Sequence, residues 1–379
     1  MAANYLYIAK TKPGEFAALS HLKGSHKRHV MPLFDLSRVR DGLAKFKYVA
    51  DLNQAYINDV CEQISEFWCG RTALIDAMRW DPSAVLKSGQ HVISYFYDRL
   101  STLGVHVIPV LGYDRWESAP YRKALQSLDL PQDQLVCLRL ETEAIKDSAE
   151  PEFFRAQVES MVSDIDVSPR NCLALIDFED ITAASVELLL DRSAQAVEAL
   201  KGIGFNRYAT AGCSMPPSIE LAVPDKNSTG KVIRKEWLLW QAMRATYPQY
   251  SWLFGDYGIR GPKSADDVPN PHTNGKIRYT TNGMYFVARG HSMMKDNKGA
   301  QMHDLAMTVQ KSKYFMDAAF SWGDAELIAC AMKELRGKKP FKGNQSTWIG
   351  IDTNHHLTWV GQEVAEVVSR EVRATYIES

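Results

Sequence analysis

The feature that most constrains the fold is a rhythm: a short β-branched or apolar run, a polar or Gly/Pro stop, then an amphipathic stretch of helical length. The strand-like runs are Tyr5–Ala9, Val30–Asp35, Thr72–Met78, Val105–Leu111, Gln134–Glu141, Cys172–Phe178, Arg207–Cys213 and Ser251–Asp256. Several are apolar almost throughout, such as His106–Leu111 and Cys172–Ile176. A strand needs that only when both faces are covered, as in a parallel sheet wrapped by helices. Between them, Glu15–Leu22, Gln54–Phe67, His91–Leu103, Tyr121–Leu128, Glu152–Ile165, Ala184–Leu200 and Val232–Tyr247 carry apolar residues three and four apart, which predicts helices. Val186, Leu189, Leu190, Ala194, Val197 and Leu200 fall close to one face of the sixth, and Gly202 and Gly204 stop it. Trp237, Trp240 and Met243 keep helical spacing in the seventh and read as core.

The runs start between residues 5 and 251, so successive strands lie about 35 residues apart, one βα unit each. Eight such units in about 250 residues predict an α/β chain folded as a (β/α)8 TIM-like barrel. An open doubly wound sheet shares the alternation, but no Gly-rich phosphate loop follows the first strand, where the chain reads Lys10-Thr11-Lys12-Pro13-Gly14-Glu15. After about Arg260 the rhythm breaks. Pro262, Pro269 and Pro271 mark a loop, and Lys276–Arg289 predicts a strand pair around Asn282-Gly283. Helices near Leu305–Phe320 and Gly323–Leu335, a basic loop Arg336–Lys342, a strand-like Trp348–Thr353 and a last helix from Trp359 follow. The expected organisation is a barrel over 1–260 and a C-terminal hairpin-plus-helices elaboration over 261–379 packed on it.

Composition narrows the partners. With 45% hydrophobic and 23% charged residues the chain is globular rather than disordered. Its 44 Lys+Arg against 45 Asp+Glu supply no global positive field for nucleic acid. The basic runs Lys23–His29 and Lys333–Lys342 read as solvated faces. No apolar run approaches the roughly 18 residues of a membrane span, and the start lacks a signal-peptide plan, so a cytoplasmic protein away from membranes is expected. Cys61, Cys69, Cys137, Cys172, Cys213 and Cys330 include no C-x-x-C pair and read as buried hydrophobes, not a disulfide frame or zinc site.

In a barrel the active site lies at the C-terminal strand ends, and polar residues concentrate there. Lys10, Asp35 and Asp76 end the first three strands and Asp114 follows the fourth. Arg139 and Glu141 close the fifth, Asp177 and Glu179 the sixth, Ser214 follows the seventh, and Asp256-Tyr257 end the eighth. Asp76, Asp177 and Asp256 are candidate acids, bases or ligands of a divalent metal. Lys10, Arg139 and Arg278 are candidate clamps for a phosphate or carboxylate. Such a set suits hydrolysis of a phosphoester, glycosidic or N-glycosidic bond; the competing reading is that strand ends meet water and Asp caps the next helix. His355 and His356, read as neighbours on a strand, point to opposite faces and cannot share a metal; a structural or substrate-binding histidine is expected. No specific metal motif occurs and no cofactor is identified. Ser214, in Gly212-Cys213-Ser214-Met215-Pro216, lacks a nucleophile elbow.

Tyr5–Leu19, Met31–Asp35, Arg139, Ile176–Phe178, Ser214–Pro216, Gly255–Gly258, Arg278-Tyr279 and Asn354–Thr358 together resemble the beta-protein family of phages and phage satellites. That family is named for the beta protein of the gop–beta–cII locus. The resemblance implies a component of antiviral defence with an antitoxin-like role, restraining a toxic effector (Gop-like) encoded beside it. Matched residue by residue, it implies Lys10, Asp35, Asp76, Arg139, Asp177, Asp256, Tyr257, Arg278, Tyr279 and His356 as site positions. Two functions are therefore expected: a defence regulator whose polar mouth binds a small anionic ligand, or a hydrolase or transferase acting on a nucleotide or other phosphorylated small molecule.

Overall fold

The structure, a computed structural model, describes residues 3–39, 44–131, 133–264, 272–294 and 298–378, with side chains as far as residue 370. Pro269 and Pro271 lie outside the described residues. The strands are β1 (Tyr5–Lys10), β2 (Val30–Asp35), β3 (Thr72–Asp76), β4 (His106–Gly112), β5 (Val136–Leu140), β6 (Cys172–Asp180), β7 (Arg207–Cys213), β8 (Ser228–Ile233), β9 (Ser251–Asp256), β10 (Asn274–Thr281), β11 (Met284–Ser292), β12 (Leu335–Arg336) and β13 (Lys339–Pro340). The helices are α1 (Pro13–Ser20), α2 (Gly24–Lys27), α3 (Leu52–Trp68), α4 (Val92–Thr102), α5 (Ala119–Gln126), α6 (Thr142–Asp147), α7 (Pro151–Asp164), α8 (Val186–Leu200), α9 (Ile219–Ala222), α10 (Lys235–Thr246), α11 (Gln301–Gln310), α12 (Trp322–Ala331) and α13 (Gln345–Glu378).

β1 to β7 and β9 close into the expected eight-stranded parallel barrel, sealed by pairing of β1 with β9 at Tyr5↔Phe254, Leu6↔Gly255 and Tyr7↔Asp256. Gly255 lets β9 lie close against β7: a Cβ there would stand 2.7 Å from the Thr210 carbonyl oxygen. Alternation along the strands divides the side chains. Leu6, Ile8, Leu33, Leu74, Val110, Leu175 and Leu253 fill the interior. Tyr5, Phe34, Ile75, Leu138, Ile176 and Phe254 face the surrounding helices, where Trp237, Trp240 and Met243 are buried as the spacing predicts. Among the described residues no helix is long and apolar enough to cross a membrane. All six cysteines are free, and only Cys69 is exposed.

The C-terminal region departs from expectation in several places, and the helix expected near Leu305–Phe320 runs only over Gln301–Gln310. Trp348–Thr353 is not a strand, and His355 and His356 are not on one; all lie in the continuous helix α13. A short apolar run does not by itself separate strand from buried helix, and Trp348, Ile349, Ile351, Leu357, Val360 and Val364 are all buried. The basic segment expected as a loop is the tight hairpin β12–β13, turned at Gly337 with φ 65°. Residues 228–233, partly assigned to a helix, form β8, which pairs antiparallel with β11 beside β10. Its exposure alternates without one fully buried face, so it leaves no hydrophobic strand signature. A boundary at residue 260 therefore runs through this three-stranded sheet. The β10–β11 turn falls at Asn282-Gly283, as the sequence indicates.

Candidate functional site

Inward alternation brings the last residues of the barrel strands to one polar layer above the apolar interior. Lys10, Asp35 and Asp76 stand in register across β1, β2 and β3. At the centre is Arg139 on β5, 0% exposed. Its Nη1 donates to Asp76 Oδ2 at 2.7 Å, and its Nε and Nη2 donate to Asp177 Oδ2 at 2.9 and 2.6 Å. Nη2 also donates to the Tyr257 hydroxyl at 2.9 Å, which itself donates to Asp177 at 2.6 Å. A second guanidinium, Arg115 in the turn after β4, donates to Asp76 at 2.5 and 3.1 Å. Gly112 makes room for it, because a Cβ there would overlap the Arg115 side chain.

The other carboxylates of the layer, Glu141, Asp35 and Glu179, differ in their chemistry from Asp76. Asp76 is buried, which by itself raises its pKa, but Arg115 and Arg139 outweigh burial and hold it below the usual range. Glu141 is buried with Arg115 Nη2 at 3.6 Å and Arg139 Nε at 3.8 Å, and both its oxygens lack a hydrogen-bond partner. Burial, reinforced by Asp76 and Asp114, pushes it up to about 7 against the pull of the arginines. Asp35 is pushed up to about 6 by burial with a contribution from Asp76; its Oδ1 also lacks a partner, while Arg79 Nε stands 3.4 Å from Oδ2. Glu179, raised by burial and by Asp177, sits at φ 56° where β6 bulges. Lys10 Nζ donates to the Gly261 carbonyl at 2.9 Å, tying the segment after β9 to the layer.

The remaining candidates lie elsewhere. The alternation that turns Tyr257 inward turns Asp256 outward, between the barrel wall and α13. Asp256 Oδ1 accepts from the Tyr5 hydroxyl at 2.7 Å and the Gly258 amide at 2.9 Å; Oδ2 is 2.9 Å from His356 Nε2. Burial, only partly opposed by Asp256, lowers the His356 pKa, so the ring is neutral. With its proton on Nε2 it donates to Asp256, and Nδ1 accepts from the Thr280 hydroxyl at 2.8 Å. The group is a buried fastening between β1, β9, β10 and α13. Arg278 and Tyr279 belong to a third group: the Arg278 amide donates to Asp352 at 3.0 Å, and the Tyr279 hydroxyl donates to Asp324 at 2.7 Å. Neither Asp256 nor Arg278 therefore stands with the mouth residues.

Among the described residues no group of three or more His, Cys, Asp or Glu side chains is placed to hold a metal ion. Arg115 and Arg139 occupy the space between Asp76, Asp177 and Glu141 where a cation would bind. Arg115 escaped the sequence reading because it lies in a turn; its signal is a glycine ending the strand three residues earlier.

A parallel eight-stranded barrel with two buried arginines among buried carboxylates at its C-terminal mouth defines the class: a (β/α)8 protein with a polar, ion-paired mouth. Over residues 5–362, nearly the whole chain, the sequence matches the family described as Beta protein, and it belongs to that family. No curated protein matches it.

Proposed function

We propose that the barrel mouth is an acid–base site acting on a small polar molecule, and that the defence role implied by the family, restraint of a neighbouring toxic effector, works through this site. The observation that carries the reading is Glu141. It is a carboxylate 3% exposed, poised at about 7 between two arginines, with both oxygens unoccupied by hydrogen bonds. A carboxyl group near neutrality can both give and take a proton at physiological pH, which is what general acid–base catalysis needs. Asp35, at about 6, is the second such group. Asp76 and Asp177 fix Arg139, and Asp76 fixes Arg115, so the two guanidinium groups are held in place beside Glu141.

The reading favours a hydrolase or transferase. The unpartnered oxygens of Glu141 and Asp35 accept hydrogen bonds when ionised and donate when protonated, so the part of the substrate seated there presents hydroxyl or amino groups, which can do both. The anion clamp expected from Lys10, Arg139 and Arg278 is not supported as a unit: Arg139 is committed to two aspartates and Arg278 lies in the C-terminal region.

The test is co-expression of the adjacent toxic gene with wild-type protein, Glu141→Gln or Asp35→Asn, each variant checked for folding. The expected result is growth with wild type and none with either folded variant. Full rescue by both variants would overturn the reading and assign restraint to a surface contact.

A further inference from the structure

Between α10, the β10–β11 turn and α13 lies a cavity of about 430 Å3, within the range of small-molecule sites. Its walls include Trp237 of α10, Asn282 of the turn, Met316 and Phe320 from the segment between α11 and α12, and Trp359 and Glu363 of α13. No mouth residue lines it. The aromatic walls are held in place by the protein itself. Trp237 packs on Trp240 with centroids 5.0 Å apart and meets Phe254 edge to face at 5.4 Å. Phe320 and Trp359 lie 6.1 Å apart, and each touches the His355 ring, at 5.5 and 6.3 Å. His355 is fixed in turn, with Nδ1 2.9 Å from Asp324 Oδ2 and Nε2 2.8 Å from the Thr280 carbonyl oxygen. Rings so fixed lose little freedom when a flat ligand stacks on them.

The charged side chains of the lining are paired. Glu363 Oε2 accepts from Arg234 Nη1 at 2.7 Å, and Glu366 Oε2 stands 3.6 Å from Arg370 Nη2. The lining therefore favours an uncharged ligand. Two of its polar atoms are not paired: Trp359 Nε1 and Glu363 Oε1 are buried, and neither has a hydrogen-bond partner within the protein. Their residues stand one helical turn apart, on the face of α13 that lines the cavity. The indole N–H can only donate, and the carboxylate oxygen accepts. The ligand that satisfies both is a flat, uncharged ring with an acceptor and a donor on its edge.

We propose that this cavity binds a nucleobase, carried as its nucleoside, stacked on the Phe320–Trp359 wall. A ring nitrogen or carbonyl oxygen of the base accepts from Trp359 Nε1, and a ring or exocyclic N–H donates to Glu363 Oε1. It is a second site, independent of the acid–base reading of the mouth.

The test is calorimetric titration of the full-length protein with adenosine, guanosine, cytidine and uridine, their 5′-monophosphates, and toluene as a flat ring without edge donors or acceptors. At least one nucleoside binds, at least tenfold tighter than toluene. Its monophosphate binds no tighter than about threefold better, because the one cation in the lining is already paired with Glu366. Trp359→Phe keeps a ring but loses the donor, and weakens binding about tenfold. Met316→Arg, at a position 44% exposed and so tolerant of change, fills the cavity and abolishes binding. The proposal is overturned if no nucleoside binds with Kd below about 1 mM, or if toluene binds as tightly. It is also overturned if the monophosphate binds more than tenfold tighter than the nucleoside, or if either variant, shown to be folded, leaves binding unchanged.

Discussion

Replacing Glu141 by Gln makes the protein inactive and removes a loss of stability that grows with pH in a calculable way. Glu141 has its pKa raised from 4.5 to about 7 by burial. The stability it contributes is fully present below the unfolded value and is lost as pH rises through the folded one. With those two values, the loss is about 1 kcal/mol at pH 5 and about 3 kcal/mol at pH 8. Glutamine does not titrate, so the variant escapes this loss. A new mismatch between its amide and Arg115 or Arg139 adds a constant offset but no slope. The difference between variant and wild type in unfolding free energy therefore grows by about 2 kcal/mol between pH 5 and pH 8. Urea unfolding of both proteins at a series of pH values, at fixed ionic strength, reads it directly. Parallel pH profiles would refute the reasoning, since Glu141 would then ionise alike in the folded and unfolded chain.

Two further substitutions separate site from scaffold. Arg139→Met leaves Asp76 and Asp177 short of their shared cation and costs about 3–5 kcal/mol, seen as a lower urea midpoint. Adding Asp177→Asn recovers at least about 1 kcal/mol of it, and strict additivity would contradict the pairing. His356→Phe removes a donor to Asp256 and costs about 2 kcal/mol, yet keeps growth rescue at temperatures where it remains folded, because this fastening lies outside the mouth.

The barrel was legible because parallel strands buried on both faces leave runs such as Cys172–Ile176 that few other folds need. The same strand ends brought Lys10, Asp35, Asp76, Arg139, Glu141, Asp177 and Tyr257 into one layer. Asp256 was misplaced by a single step of the two-residue alternation: it shares a strand end with Tyr257 but faces the other way. Arg115 was invisible because it reaches the mouth from a turn, over a glycine that only the tertiary structure shows to be necessary. The C-terminal region hid its elements for a different reason. α13 packs against the barrel-side helix α1, the sheet strand β10 and α12, so several of its faces are buried and Trp348–Thr353 loses the one-sided pattern of a surface helix. β8 has the opposite problem, an exposed edge strand with nothing apolar to repeat.

The central claim is that the mouth holds a carboxyl group poised to exchange a proton near neutral pH. Its most direct test is a carbon-13 NMR pH titration of protein labelled at the glutamate side-chain carboxyls, with Glu141→Gln to assign the resonance. The structure predicts that the resonance missing from the variant titrates at about 7. Titration at the ordinary 4.5 would contradict it and leave the layer as a set of static ion pairs.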